Sequence, residues 1–275
     1  MNNQLQNKPK FSLAIQSEGY KRLINNTLGD PKRAAKFIAA ISSAVATNSS
    51  LQQCDAGSIL SGALLGEALN LSPSPQLGQY YLVPFKDKAQ FQLGYKGYIQ
   101  LAIRSGQYKD IDVIEVREGE YLGRDKITGK HQFEFIEDEV ERENKPIIGY
   151  MAYFEYLNGF YKNLYWSKEK MQKHALEYSQ AYASDVKKGT NYSFWTKDFN
   201  GMAFKTMLRQ LISKWGIMSI DMQEALTKDM SVVKEDGTYD YVDNQPVMEV
   251  PSEERVEQTA ETTTSEVKQV NINEL

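Results

Sequence analysis

The chain of 275 residues is 41% hydrophobic and 25% charged, the composition of an ordinary globular protein with room for one large domain or two small ones. It has no apolar run long enough to cross a membrane, and its one cysteine (Cys54) and two histidines (His131, His174) exclude a disulfide framework, a cysteine-cluster zinc site and most histidine-based chemistry. The net charge of −4 hides an asymmetry: residues 229–275 hold twelve acidic and three basic residues, net −9, which leaves +5 for residues 1–228.

That imbalance suits a polyanion-binding body with an acidic tail, or equally a solubilising tail on a nearly neutral domain. In chain order, residues 1–30 read as a polar N-terminal arm whose Phe11, Leu13 and Ile15 need something to dock on, a candidate oligomer contact. The first residues lack the apolar region of a signal peptide, which points to a cytoplasmic protein. Asp30-Pro31 starts a helix with Ala34, Phe37, Ile38, Ile41 and Val45 on one stripe. Asp55 caps a second helix, where Gly62 and Gly66 lower helix propensity and so imply close approach by another element.

Residues 79–85 and 90–95 form two strands around the polar Lys86-Asp87-Lys88, followed by a short helix ending at Ser105-Gly106. Residues 108–117 alternate as a strand, and Phe133 and Phe135 suggest another. Asn158-Gly159 predicts a two-residue type I′ hairpin that sets Tyr156 opposite Tyr161 and Glu155 opposite Lys162. Ser167 starts a helix through about 183, and a last helix runs over about 194–215 to Gly216. The expected fold is α+β, an antiparallel sheet with packed helices, with one core domain over 31–228 and a disordered acidic tail over 229–275.

No nucleophile elbow, phosphate-binding loop or His-Glu-x-x-His motif is present. Asp110, Asp112 and Glu115 are either the exposed side of a strand or a divalent-metal cluster; His174 reads as solvent-facing and Cys54 as a small packing residue. No cofactor and no catalytic residue is expected. Basic residues interleaved with aromatics are the better candidates for a site. Lys86 and Lys88 flank a turn, Tyr95, Lys96 and Tyr98 surround a glycine at a helix start, and Arg104 lies two turns on. Each is an anion contact or, alternatively, a solvated cation or core tyrosine. On the last helix, Ala203, Met207, Leu208, Leu211 and Ile212 share the apolar arc, while Lys205, Thr206 and Arg209 share the polar one. Lys205 and Arg209 are like charges one turn apart, a pairing that an anion between them would relieve. Lys197 and Lys214 stand near the helix ends.

Leu69-Asn-Leu71, Pro75, Gly78–Phe85, Phe91–Tyr98 and Leu101–Gly106 form one set of motifs, and Trp195, Phe199, Met202, Lys205-Thr206, Arg209, Leu211 and Lys214 a second. Together they resemble the signatures of the RecT family of phage single-strand annealing recombinases, and that implies DNA as the ligand of Lys86, Lys88, Tyr95, Lys96, Tyr98, Arg104, Lys197, Lys205, Arg209 and Lys214. The resemblance covers roughly residues 50–220 in the same order. It implies ATP-independent binding of single-stranded DNA, annealing to a duplex, and self-assembly into rings or helical filaments. It also implies a phage exonuclease partner, with a host single-strand DNA-binding protein as a further candidate and no membrane. A non-annealing single-strand binding protein and a divalent-metal nuclease are the alternatives.

Overall fold

Side-chain caps set most helix starts, because Ser and Asp oxygens accept from the otherwise unpaired N–H groups of a first turn. In the computed structural model, which describes residues 11–234 and the strand Tyr239–Tyr241, Ser17, Asp30 and Asp55 each close a turn in this way. They start α2 (Glu18–Leu28), α3 (Pro31–Ala46) and α4 (Ala56–Ala68), preceded by the single turn α1 (Phe11–Ala14). From residue 11 on the arm is helical, and Phe11 and Ile15 dock in the chain's own core while Leu13 stays exposed.

A two-residue turn at Lys86-Asp87 joins β1 (Tyr80–Phe85) to β2 (Lys88–Leu93), and α5 (Tyr95–Arg104) follows directly. The middle of the chain holds β3 (Tyr108–Arg117), β4 (Tyr121–Arg124), β5 (His131–Phe133), α6 (Glu139–Asn144), β6 (Ile147–Tyr156) and β7 (Tyr161–Ser167). Then come α7 (Lys168–Tyr178), α8 (Gln180–Lys188), α9 (Phe194–Lys197), α10 (Phe199–Trp215) and α11 (Ile220–Lys228), and last β8 (Ser231–Val233) and β9 (Tyr239–Tyr241). The strands form three antiparallel sheets, ordered β1-β2-β8-β9, β3-β6-β7 and β4-β5. Helix α4 packs on the first sheet, α10 packs on the second, and α5 bridges α10 and β3. The α+β class with antiparallel pairing is as expected.

Four local expectations are corrected. Both long C-terminal helices break where a capping side chain competes with helix continuation. Ser179 accepts from Tyr182 N (3.2 Å) and separates α7 from α8, while Asp198 accepts from Gly201 N (2.9 Å) and separates α9 from α10. The Asn158-Gly159 hairpin is not type I′. Only Gly159 has positive φ (83°), and Gly159 N donates to Tyr156 O (2.9 Å). Tyr156 N donates to Phe160 O (2.8 Å), giving a three-residue loop with glycine in the left-handed position. The register therefore shifts by one: Glu155 faces Tyr161, Phe154 faces Lys162, and the ion partner of Glu155 is Lys109 (2.7 Å).

The fourth correction moves the tail boundary. Asp229, Ser231, Val232 and Val233 are buried, and β8 pairs with β2 at Phe91↔Ser231, so the core extends beyond residue 228. The remainder of the acidic tail, apart from Lys234 and β9, lies outside the described residues, as do residues 1–10.

The glycines of α4 are required sterically. A Cβ on Gly66 would lie 2.3 Å from the Tyr80 ring, and one on Gly62 would lie 2.8 Å from Leu82 Cδ2. Alanine raises helix propensity by about 1 kcal/mol, but overpacking costs about 1–3 kcal/mol, and the buried Tyr80 cannot move away cheaply. Gly66→Ala is thus expected to destabilise, read as a lower urea midpoint at unchanged slope; a higher midpoint would mean the α4–β1 contact is looser than described.

Candidate nucleic-acid interface

A concave surface lies between the β1–β2 hairpin and the segment joining α8 to α10. It consists of two adjoining cavities of about 330 and 230 Å³ that share Gln92, Phe194, Lys197 and Met202. Rings line it from both sides. Tyr81 and Phe194 lie 5.9 Å apart, Tyr95 and Phe85 contribute from the hairpin side, and Tyr192 is 78% exposed at the rim. The Lys197 ammonium stands 5.9 Å over the Phe194 ring, and the Lys86 ammonium stands 5.5 Å over Phe85 at the hairpin tip. Gln90 and Gln92 bond to each other (2.9 Å), and Gln90 also donates to Met230 O, so the polar floor is internally satisfied.

One buried carboxylate holds the far wall. Asp185 accepts from Thr190 Oγ1 (2.6 Å), Tyr192 N (3.0 Å), Ser193 N (2.7 Å) and Thr196 Oγ1 (2.7 Å). Burial alone would raise its pKa, but the bonds from Thr190, Ser193 and Thr196 outweigh that and hold it well below the usual carboxylate range. Four donors from 190–196 converge on one side chain, fixing the loop that carries Tyr192 and Phe194. Sequence reading passed over Asp185, Tyr192, Phe194 and Tyr81. The run Thr190-Asn-Tyr-Ser-Phe-Trp195 after Gly189 was the available signal: polar donors interleaved with rings.

The ten sequence candidates do not form one stripe. Tyr95, Lys197 and Lys205 line the smaller cavity, and Lys96 is exposed next to it with its ammonium 5.9 Å from the Tyr95 ring. Lys86 and Lys88 are exposed around the hairpin turn. Arg104 lies elsewhere, donating to Leu69 O (2.8 Å) and Asn70 O (3.3 Å) at the end of α4. Lys214 is at the opposite end of α10. Tyr98 is fully buried, so no base can stack on it.

The main correction concerns Lys205 and Arg209. An anion does relieve their repulsion, but it is Asp229 of the same chain. Asp229 accepts from Lys205 Nζ (2.9 Å), Arg209 Nη1 (2.7 Å), Tyr98 OH (3.1 Å) and Leu93 N (2.8 Å), with no exposure of its own side chain. Burial pushes the Lys205 ammonium down, opposed by Asp229, and burial pushes Tyr98 well up, reinforced by Asp229. The expected phosphate position is taken because the chain after α11 brings Asp229 there, although the Arg209 side chain stays 39% exposed. Thr206 is buried as well.

Asp110, Asp112 and Glu115 do not gather. Asp110 accepts from Tyr153 OH, while Glu115 accepts from Asn200 (2.6 Å) and pairs with Arg117 (2.9 Å). Among the described residues, no group of three His, Cys, Asp or Glu side chains is placed to hold a metal ion. His174 is half-buried against Trp166 (5.2 Å), correcting its solvent-facing reading, and Cys54 is buried as expected. No helix among the described residues is long and apolar enough to cross a membrane.

The arrangement offers ring faces and an ammonium group along an open groove, with little that would distinguish one base from another. The sequence profile of the RecT family matches residues 35–247, a span containing both the groove and the Asp229 cluster. The chain is 42% identical over 212 residues to Uncharacterized protein YqaK of Bacillus subtilis (strain 168), covering 77% of this chain and 68% of that one. It is 30% identical over 193 residues to Protein RecT of Escherichia coli (strain K12), covering 65% of each.

Proposed function

This chain belongs to the RecT family, and on that premise we propose that it binds single-stranded DNA in the groove and anneals complementary strands during recombination. The observation that carries the reading is the pairing of rings from two walls with Lys197 lining both cavities. Rings bind any base by stacking, worth about 1–3 kcal/mol each, and ammonium groups neutralise phosphate without reading sequence. Annealing requires both properties, since two polyanions must approach while their pairing edges stay free. The reading extends to ATP-independent action by an oligomer in the bacterial cytoplasm, on strands exposed by a phage exonuclease. Weak sites arrayed along a strand gain affinity by avidity. In this reading the acidic residues after 234 recruit the exonuclease or a host single-strand DNA-binding protein rather than DNA, which they would repel.

Mixing complementary oligonucleotides with and without Mg²⁺ tests the activity. Faster pairing supports annealing, bound strands that pair more slowly mean a protective binding protein, and shortened strands mean a nuclease. Lys197→Ala is expected to weaken binding regardless of sequence and flatten the log–log salt slope by about 0.7, one phosphate contact on a single strand. Salt titration of a labelled oligonucleotide measures it, and a wild-type slope would remove Lys197 from the DNA path. Lys197 is exposed and without an ion partner among the described residues, so the variant should fold normally.

A further inference from the structure

A second basic and aromatic surface lies at the other end of α10. Lys162 on β7 stands 4.9 Å from the Trp215 ring, and Lys214 stands 5.8 Å from the same ring. Lys170 on α7 lies 4.2 Å over Trp166. Strand β7 is the edge of its sheet, and its alternation sends Lys162 and Trp166 to the α7–α10 side. None of the three lysines pairs with a carboxylate among the described residues, whereas Lys173, one turn along α7, pairs with Glu169 (3.3 Å).

The chain's two histidines register the resulting positive field. Burial lowers the pKa of His131, and Arg124, Lys162 and Lys170 lower it further. Burial lowers that of His174 as well, with Lys170 adding to the effect and Glu177 opposing it. Burial and Lys214 together lower that of Lys170. Like charges have been brought together with little to offset them, and Trp215, 37% exposed, sits among them.

We propose that this patch holds a second nucleic-acid strand, with its phosphates on Lys162, Lys170 and Lys214 and a base against Trp215. The inference rests on the annealing reading above, which requires two strands on the protein at once. The patch shares no side chain with the groove. The two surfaces lie at opposite ends of α10, a helix of 17 residues and so about 25 Å long, and one strand occupies both only if it runs the length of that helix. Charge complementarity selects a polyanion, and an exposed indole flanked by cations favours one with aromatic bases over an acidic peptide.

The test uses the full chain and unlabelled and labelled oligonucleotides of about ten nucleotides, near the site size of a single binding groove. Protein saturated with one strand is titrated with a second, non-complementary one, and annealing of complementary strands is timed separately. The Lys162→Ala/Lys214→Ala variant is expected to bind the first strand within about twofold of wild type. It should lose about tenfold in second-strand affinity and in annealing rate, with a second-strand salt slope smaller by about 1.4. Lys162→Arg/Lys214→Arg should restore both, and Trp215→Phe should remove fluorescence quenching by the second strand only. Unchanged second-strand binding would overturn the proposal, as would a parallel loss of first-strand affinity, which would make the patch part of one path. Equal displacement by poly-aspartate would reassign it to an acidic protein partner. If wild type bound no strand at all, the annealing reading itself would fall, and that result precedes any comparison of variants.

Discussion

Truncation after Lys228 is expected to unfold the protein or leave it severely destabilised, although it removes what composition describes as an acidic tail. The cut deletes Asp229, the acceptor shared by Lys205, Arg209, Tyr98 and Leu93 N, and with it the buried Val232 and Val233. Lys205, 7% exposed at its side chain, would be left as an uncompensated buried cation. Breaking a buried pair in this way costs about 3–5 kcal/mol, and each lost valine about 1.5–3 kcal/mol more, against a typical total stability of about 5–15 kcal/mol. Asp229→Ala alone should cost about 3–5 kcal/mol. Lys205→Met should cost less, because Asp229 keeps three donors and the methionine stem still fills the site. Urea denaturation of the two variants checks the order. Equal stability of Asp229→Ala and wild type would mean that the Asp229 cluster does not hold the chain after α11 against α10 and β2. A cut after residue 243, where the compact unit ends, should leave the fold intact.

The second large effect is expected at Asp185. Replacing it with Asn removes the charge that strengthens all four bonds and, with the amide oxygen kept toward Tyr192 N and Ser193 N, turns the acceptor of Thr190 Oγ1 into a donor, so the loop that positions Tyr192 and Phe194 should lose its fixed geometry. The expected loss in single-strand affinity is about tenfold, that of roughly one stacked base, with the salt slope unchanged because no cation is removed. An unchanged slope separates this variant from Lys197→Ala. Wild-type affinity in Asp185→Asn would show that the 190–196 loop does not contact DNA. Acidification is a poor substitute for the substitution. The pKa of Asp185 is depressed in the folded state, so its contribution is fully present above the unfolded value of about 4 and fades only as pH falls below it. Between pH 7 and 5 the wall should stay in place.

Both predictions concern a carboxylate that composition would count as surface charge. Lys205 and Arg209 were legible as a repelling pair in need of an anion, and that requirement was correct. What supplies the anion was not legible, because Asp229 is twenty or more residues away and reaches them only after α11 and the return of β8 onto β2. The second patch was equally hidden. Lys214 was visible as a basic residue at a helix end, but Lys162 and Lys170 gain meaning only when β7 and α7 are laid beside Trp215.

The sequence alone determined the features whose physics is local. Caps at Asp30, Asp55 and Ser167 act within three residues, so residue type and position suffice to find them. The hairpin β1–β2, the strand β3 and the apolar arc of α10 follow from periodicity, which depends only on backbone geometry. The small side at Gly62 and Gly66 could be inferred from its cost to the helix, and Tyr80 and Leu82 fill it. Tertiary structure decided the rest. Periodicity reports which face an element buries first, but not whether a later segment reaches the opposite face, as Asp229 does on α10. It places the turn at Asn158-Gly159, but whether two or three residues close that loop depends on the φ values that the paired strands impose, and that choice shifted every cross-strand partner by one. Burial and ion pairing are sums over neighbours from the whole chain, so the same lysine codon reads as a surface charge at Lys197 and a core cation at Lys205 until the chain has folded around it.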